Sequence, residues 1–251
     1  MIDVHAPPKS DHTWTDFFIH IATIAVGLLL AIGLEQTVEA IHHAHQRRAL
    51  IEDMRAESER TVQILDSDLR LAGPETHWEK LAQRRLSSAE PVNGIITVTL
   101  PDPLSTGDHN SRIAPRSVLQ IAKANGTIAL LPEDLAEVYS RLDYEADRYM
   151  ESQADRLRAD NAVSAVTGRL DLSVDPGATL HLAATDRDEL VRALAIEYAN
   201  EQHSLRWAAI WAGAADAVVH NVHSVDAMGP FIEEQLRLVP RNEPAPAGAR
   251  P

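Results

Sequence analysis

Three hydrophobic patterns follow one another along the chain, and each predicts a different kind of element. The first is unbroken. Between Asp16 and Glu35 lie eighteen residues, FFIHIATIAVGLLLAIGL, without an acid, a Lys or an Arg. A helix rises about 1.5 Å per residue, so Phe17–Leu34 reaches roughly 27 Å, close to the hydrocarbon thickness of a bilayer. A core helix of a water-soluble domain is apolar on one face, whereas this run is apolar on all of them. It predicts a transmembrane helix at 17–34 after a short tail at 1–16, with Trp14 anchoring at the headgroups. His20, one turn inside, is expected to reach back toward the interface as a neutral imidazole.

The second pattern has helical spacing. No Pro or Gly interrupts Leu34–Leu71, and Ser58, Val62, Leu65, Leu69 and Ala72 recur at four-three intervals, with Ile51 and Met54 a turn or two earlier. This predicts an amphipathic helix that runs on from the span and carries a coiled-coil-like seam. Gly73-Pro74 is expected to stop it, and Glu75 or Thr76 to open a shorter helix to Leu86, completing a juxtamembrane region at 35–86. Helical spacing returns over 116–226. Ser117–Asn125 is closed by Gly126, a typical residue after a helix end. Pro132 opens a helix with Glu133 and Asp134 in its first turn, and Leu135, Val138, Tyr139, Leu142, Ala146 and Tyr149 continue it toward Leu170. Pro176-Gly177 breaks the pattern. Thr185 then caps a last long helix through Leu190, Leu194, Tyr198, Leu205 and Ile210 that extends as far as Val225.

The third pattern is interruption. Residues 87–115 are turn-forming clusters around one β-branched run, Ile95–Leu100, which reads as loop because a lone strand has no partner. Residues 227–251 hold a short amphipathic piece, FIEEQLRLV, and then a Pro/Ala-rich end, so this tail reads as largely disordered. There is no internal repeat. The expected fold class is all-α: one N-terminal transmembrane helix continuing into an antiparallel helical bundle.

Composition supports helices, since aromatics are only 4% of the chain and Ala and Leu dominate the apolar set. The net charge of −14 repels phosphate backbones and argues against nucleic acid as a partner. With no cysteine, disulfides and thiolate chemistry are excluded. A cleaved signal peptide is the main rival to the membrane span, because Ala31-Ile32-Gly33 is a small-x-small triplet. Against cleavage, Lys9 is the sole basic side chain before the run, the run exceeds a usual signal core, and helix-forming sequence continues past it. Arg47, Arg48 and Arg55 after the span outweigh Lys9 before it, which favours a cytoplasmic C-terminal domain over a periplasmic one.

Candidate chemistry is sparse. Asp216, His220, His223 and Asp226 share one face if the last helix continues that far, and such donors suit zinc, iron or manganese. Dinuclear four-helix sites, however, draw on Glu-x-x-His pairs from facing helices, which this chain lacks. A metal ion is therefore the sole cofactor considered, and a solvated polar stripe is the competing account. His42, His43 and His45 could add charge beside headgroups between about pH 5 and 7, or simply form a polar interfacial stretch. Trp207 and Trp211, one turn apart, suit core packing better than the floor of a ligand pocket. Thr23, Gly27 and Ala31 fall four residues apart, a small-residue ridge that lets two membrane helices approach. No phosphate-cradling Gly-rich loop, GxSxG elbow or HExxH motif occurs.

The stretch HTWTDFFIHIATIAVGLLLAIGLEQTVEAIHH, His12–His43, resembles the N-terminus of a group of uncharacterised bacterial single-pass membrane proteins. The resemblance implies an inner-membrane setting and carries no activity with it. The sequence thus leads to a membrane-anchored interaction or scaffold protein, non-enzymatic, with the bilayer and a second copy of itself as partners through the transmembrane and juxtamembrane helices. A metal-binding sensor or enzyme using Asp216, His220 and His223, and an extracytoplasmic ligand-sensing bundle, are the alternatives.

Overall fold

The structure, a computed structural model, describes residues 14–102 and 113–240. It is all-α, with five helices and one small sheet among the described residues: α1 Trp14–Ser88, β1 Ile95–Thr99, α2 Ser117–Ala124, α3 Glu133–Leu170, β2 Thr179–Ala183, α4 Ala184–Val219 and α5 Gly229–Leu236. Short 3₁₀ turns at Thr127–Leu130 and Asp226–Met228 lead into α3 and α5. The chain divides into two units, Met1–Ala49 and Leu50–Pro251.

The described part of the first unit is the N-terminal portion of α1. Its apolar side chains are exposed on every side, Leu28 at 61%, Leu29 at 69% and Leu30 at 70%. Among the described residues this is the one stretch long and apolar enough to cross a membrane, and none of it is buried within the protein.

The second unit is a helical bundle. Arg169 meets Glu189, Arg156 meets Glu201, Gln153 meets Ser204 and Tyr149 stacks on Trp211. Residue numbers rise along α3 as they fall along α4, so the two helices are antiparallel. Residues 50–72 of α1 close the bundle: Leu65, Leu69 and Ala72 share one core with Val138, Tyr139 and Leu142 of α3 and with Ala208–Val218 of α4. The four-three spacing read from the sequence is therefore an intramolecular core stripe. The seam assigned to dimer contacts is used up inside the domain, with Leu65 at 0% and Leu69 at 1% exposure.

Three expectations give way. Gly73-Pro74 does not stop the first helix; Pro74 lies inside α1. Proline removes one ladder hydrogen bond and crowds the carbonyl four residues back. Here that loss falls at the handover between two cores, Leu65 to Ala72 on one side and Ala82 with Leu86 on the other, and their packing holds both flanks helical. The Thr76 hydroxyl also donates to the Ala72 carbonyl at 3.0 Å. Second, Ile95–Thr99 within the expected loop is a strand, β1, because it does have a partner. It pairs antiparallel with β2, Ile96 opposite Leu182 and Val98 opposite Leu180; all four side chains are buried, and Val98, Leu180 and Leu182 belong to the second core. Third, the region after 227 is ordered through 240. Met228 and Gln235 are buried, and a Cβ at Gly213 of α4 would lie 2.4 Å from the Cα of Ile232, so α5 rests directly on α4 at its glycine. Of the expected tail at 1–16, residues 14–16 already belong to α1, while residues 1–13 and the Pro/Ala-rich end at 241–251 lie outside the described residues.

Candidate functional sites

The membrane-facing candidates keep their sequence-predicted places on one exposed helix. Trp14, Phe17 and Phe18 cluster at its start, with Trp14 and Phe17 edge to face at 5.9 Å. The Thr23 hydroxyl donates to the Ile19 carbonyl at 2.8 Å, which satisfies its own donor within the helix. Nothing lies within 4 Å of a Cβ built at Gly27, so the Thr23–Gly27–Ala31 ridge is open. His20, His42, His43 and His45 are exposed; His42 shares a 3.0 Å hydrogen bond with Gln46, and His43 stands 3.9 Å from Glu39.

The Asp216, His220, His223, Asp226 stripe does not form. Helix α4 ends at Val219, six residues short of the expected Val225. Asn221 takes a left-handed φ of 56°, and the amides of Val222 and Asn221 bond the carbonyls of Ala217 and Val218, a Schellman-type ending that asparagine can adopt. Asp216 and His220 remain one turn apart, with His220 Nδ1 at 3.2 Å from the carboxylate. His223 lies in the connection and Asp226 begins the next 3₁₀ turn, both exposed. Among the described residues no group of three or more His, Asp and Glu is placed to hold a metal ion. The tryptophans part company: Trp211 is core at 2% exposure, while Trp207 lies half-buried under the Arg148 guanidinium, 5.1 Å away, and donates to His203 at 3.0 Å.

A constellation missed at the level of sequence lies between α1, α3 and α4. A cavity of about 820 Å³ opens there, walled by Arg60, Ser67, Asp68 and Glu75 of α1, Tyr149, Gln153 and Arg156 of α3, and Glu201, Ser204 and Leu205 of α4. At its end Glu75, Glu79, Asp160, Glu197 and Glu201 come close enough to act on one another electrostatically. Arg156 stands among them, its guanidinium 3.3 Å from Glu201. Burial, reinforced by Glu201 and Glu197, pushes the Glu79 carboxyl up to about 8. Burial, reinforced by Asp160 and Glu201, pushes Glu197 up to about 7. Burial also raises Glu201, although Arg156 opposes the shift. For Arg156 burial works against the charge, but Glu201 and Asp160 outweigh it and hold the guanidinium protonated. Like-charged pairs at helical spacing, Glu75 with Glu79 and Glu197 with Glu201, were the available signal. Their facing one another depends on the α1–α4 packing, which no local pattern reveals.

A second carboxylate has a structural task. Glu57 of α1, 7% exposed, accepts from the backbone amides of Ser117 at 2.8 Å and Val118 at 3.1 Å and from the Ser117 hydroxyl. It thereby caps α2, which has no capping side chain of its own.

No protein-family model, curated protein or solved structure matches the chain.

Proposed function

We propose that this chain is a membrane-anchored helical interaction protein without catalytic activity of its own. Residues 17–34 cross the inner membrane of a bacterial cell once, and the bundle from Leu50 onward stands in the cytoplasm as a docking platform. The observation that carries this reading is the eighteen-residue charge-free run whose side chains are exposed on every face of α1. Water solvates such a surface poorly, and a bilayer solvates it well. Arg47, Arg48 and Arg55 support the cytoplasmic side. The open ridge at Thr23, Gly27 and Ala31 supports pairing of two copies within the membrane, and with the Leu65–Ala72 stripe committed to the core, pairing is assigned to the ridge alone.

The absence of cysteine makes the test clean. Single Thr23→Cys and Gly27→Cys variants should crosslink on mild oxidation in membranes, whereas Leu29→Cys on the opposite face should not. Equal crosslinking from both faces would remove the dimer. Arg237→Cys should resist a membrane-impermeant maleimide in intact spheroplasts and react after lysis; labelling before lysis would reverse the topology.

A further inference from the structure

The acid layer between α1, α3 and α4 is not explained by an anchoring role. Glu75 and Glu79 follow Pro74 on α1, Arg156 and Asp160 face them from α3, and Glu197 and Glu201 face them from α4. The adjoining cavity adds Arg60 and Asp68 of α1 and Tyr149 of α3 to the groups that look toward this layer. Within the layer, Glu201, Asp160, Glu75 and Glu197 act on the Arg156 guanidinium, and Glu79 is acted on by those four acids. Like charges that are partly withdrawn from water repel more strongly than on an open surface, so full ionisation works against close packing. Glu79 Oε2 is buried with no hydrogen-bond partner, an arrangement that a neutral carboxyl tolerates better than a carboxylate.

The backbone beside the layer is already weakened. Pro74 has no N–H to give the Arg70 carbonyl, so one rung of the α1 ladder is missing just before Glu75. Beyond it, residues 75–88 are held by the second core through Ala82 and Leu86, and by Trp78, whose Nε1 donates to the Pro101 carbonyl at 2.9 Å. A segment flanked by a missing rung and faced by titratable charge has the parts of a hinge with a variable lock.

We propose that the layer is a proton-operated latch on the C-terminal part of α1: with its carboxyls neutral, residues 75–88 lie closed on α3 and α4, and with them ionised the segment loosens about Pro74. The direction follows from linkage. In the closed form Glu79 titrates at about 8 and Glu197 at about 7, both raised from 4.5 by burial and by neighbouring acids. In an opened segment they return toward the ordinary value, so the closed form binds more protons over the interval between. Its advantage is full below the open-state value near 4.5 and is lost as pH rises through the closed-state values near 7 and 8. Arg156, charged throughout, offsets part of the repulsion and keeps the latch from failing outright.

The test is hydrogen exchange on the full-length chain in lipid nanodiscs, between about pH 5 and about pH 9, corrected for intrinsic exchange. Protection of amides 76–88 should fall at least tenfold, roughly the effect of one unit of pKa shift, while amides 54–69 hold theirs. Glu79→Gln combined with Glu197→Gln should abolish the fall. Glu145→Gln, a buried carboxyl elsewhere on α3 beside Arg141, should leave it intact. Protection that does not change with pH, a fall of equal size in the double variant, or its loss in Glu145→Gln would each overturn the latch. Should the double variant lose its helical circular dichroism, either single variant must flatten part of the fall; a wild-type profile in both overturns the proposal equally.

Discussion

Residues 17–34 and residues 50–86 belong to the same helix and obey opposite rules of side-chain placement. The first stretch holds no Asp, Glu, Lys or Arg and buries nothing. The second mixes charges with apolar residues and buries Leu50, Met54, Leu65, Leu69, Ala72, Ala82 and Leu86 along one stripe. A stripe needs a partner on one side and water on the other, and α3 and α4 supply that partner. A surface apolar all round has no inner face, so packing by one neighbour leaves most of it in water. The contrast teaches that helix length and continuity say little about surroundings, while the angular spread of apolar positions says a great deal.

The comparison can be broken most severely in the first stretch. Val26→Asp combined with Leu29→Asp should cost about 5–7 kcal/mol of insertion free energy, since each acid near the centre of a span costs roughly 2.5–3.5 kcal/mol. The readout is the inserted fraction in inverted membrane vesicles, which should fall to background. In the second stretch Leu65→Ala should destabilise the bundle by about 2–5 kcal/mol through lost burial and a residual cavity, and should leave insertion unchanged; denaturant unfolding in mild detergent measures it. Glu57→Ala should cost about 0.5–2 kcal/mol, because it removes the carboxylate that caps the amides of Ser117 and Val118 at the start of α2, and hydrogen exchange should rise first in α2. The smallest effect belongs to Thr76→Val. Losing one hydroxyl that bonds the Ala72 carbonyl beside Pro74 should cost about 0.5–1.5 kcal/mol by the same unfolding measurement.

Much of the bundle was legible because its stripes are regular. Leu65, Leu69, Val138, Leu142, Leu190 and Leu194 are all buried where helical spacing puts them. What escaped were features decided by partners distant in sequence. Ile95–Thr99 gains its strand from Thr179–Ala183, a five-residue segment set directly against α4, where two alternating leucines are easily absorbed into a helix start. Pro74 stays helical because tertiary packing on both sides outweighs local preference. The end of α4 was missed because asparagine at position 221, and no glycine, takes the left-handed turn. With it went the His/Asp stripe, which required seven more residues of helix to reach Asp226. The acid layer was the least legible, since each of its pairs looks like an ordinary solvated face until α1, α3 and α4 are brought together.

The proposal that lipid is the solvent of residues 17–34 is tested most directly by alkaline carbonate extraction of cell membranes followed by flotation of the chain. The intact protein should stay in the floated membrane fraction at its full 27.6 kDa. Release into the carbonate supernatant, or recovery as a shorter chain beginning near Leu34, would contradict it.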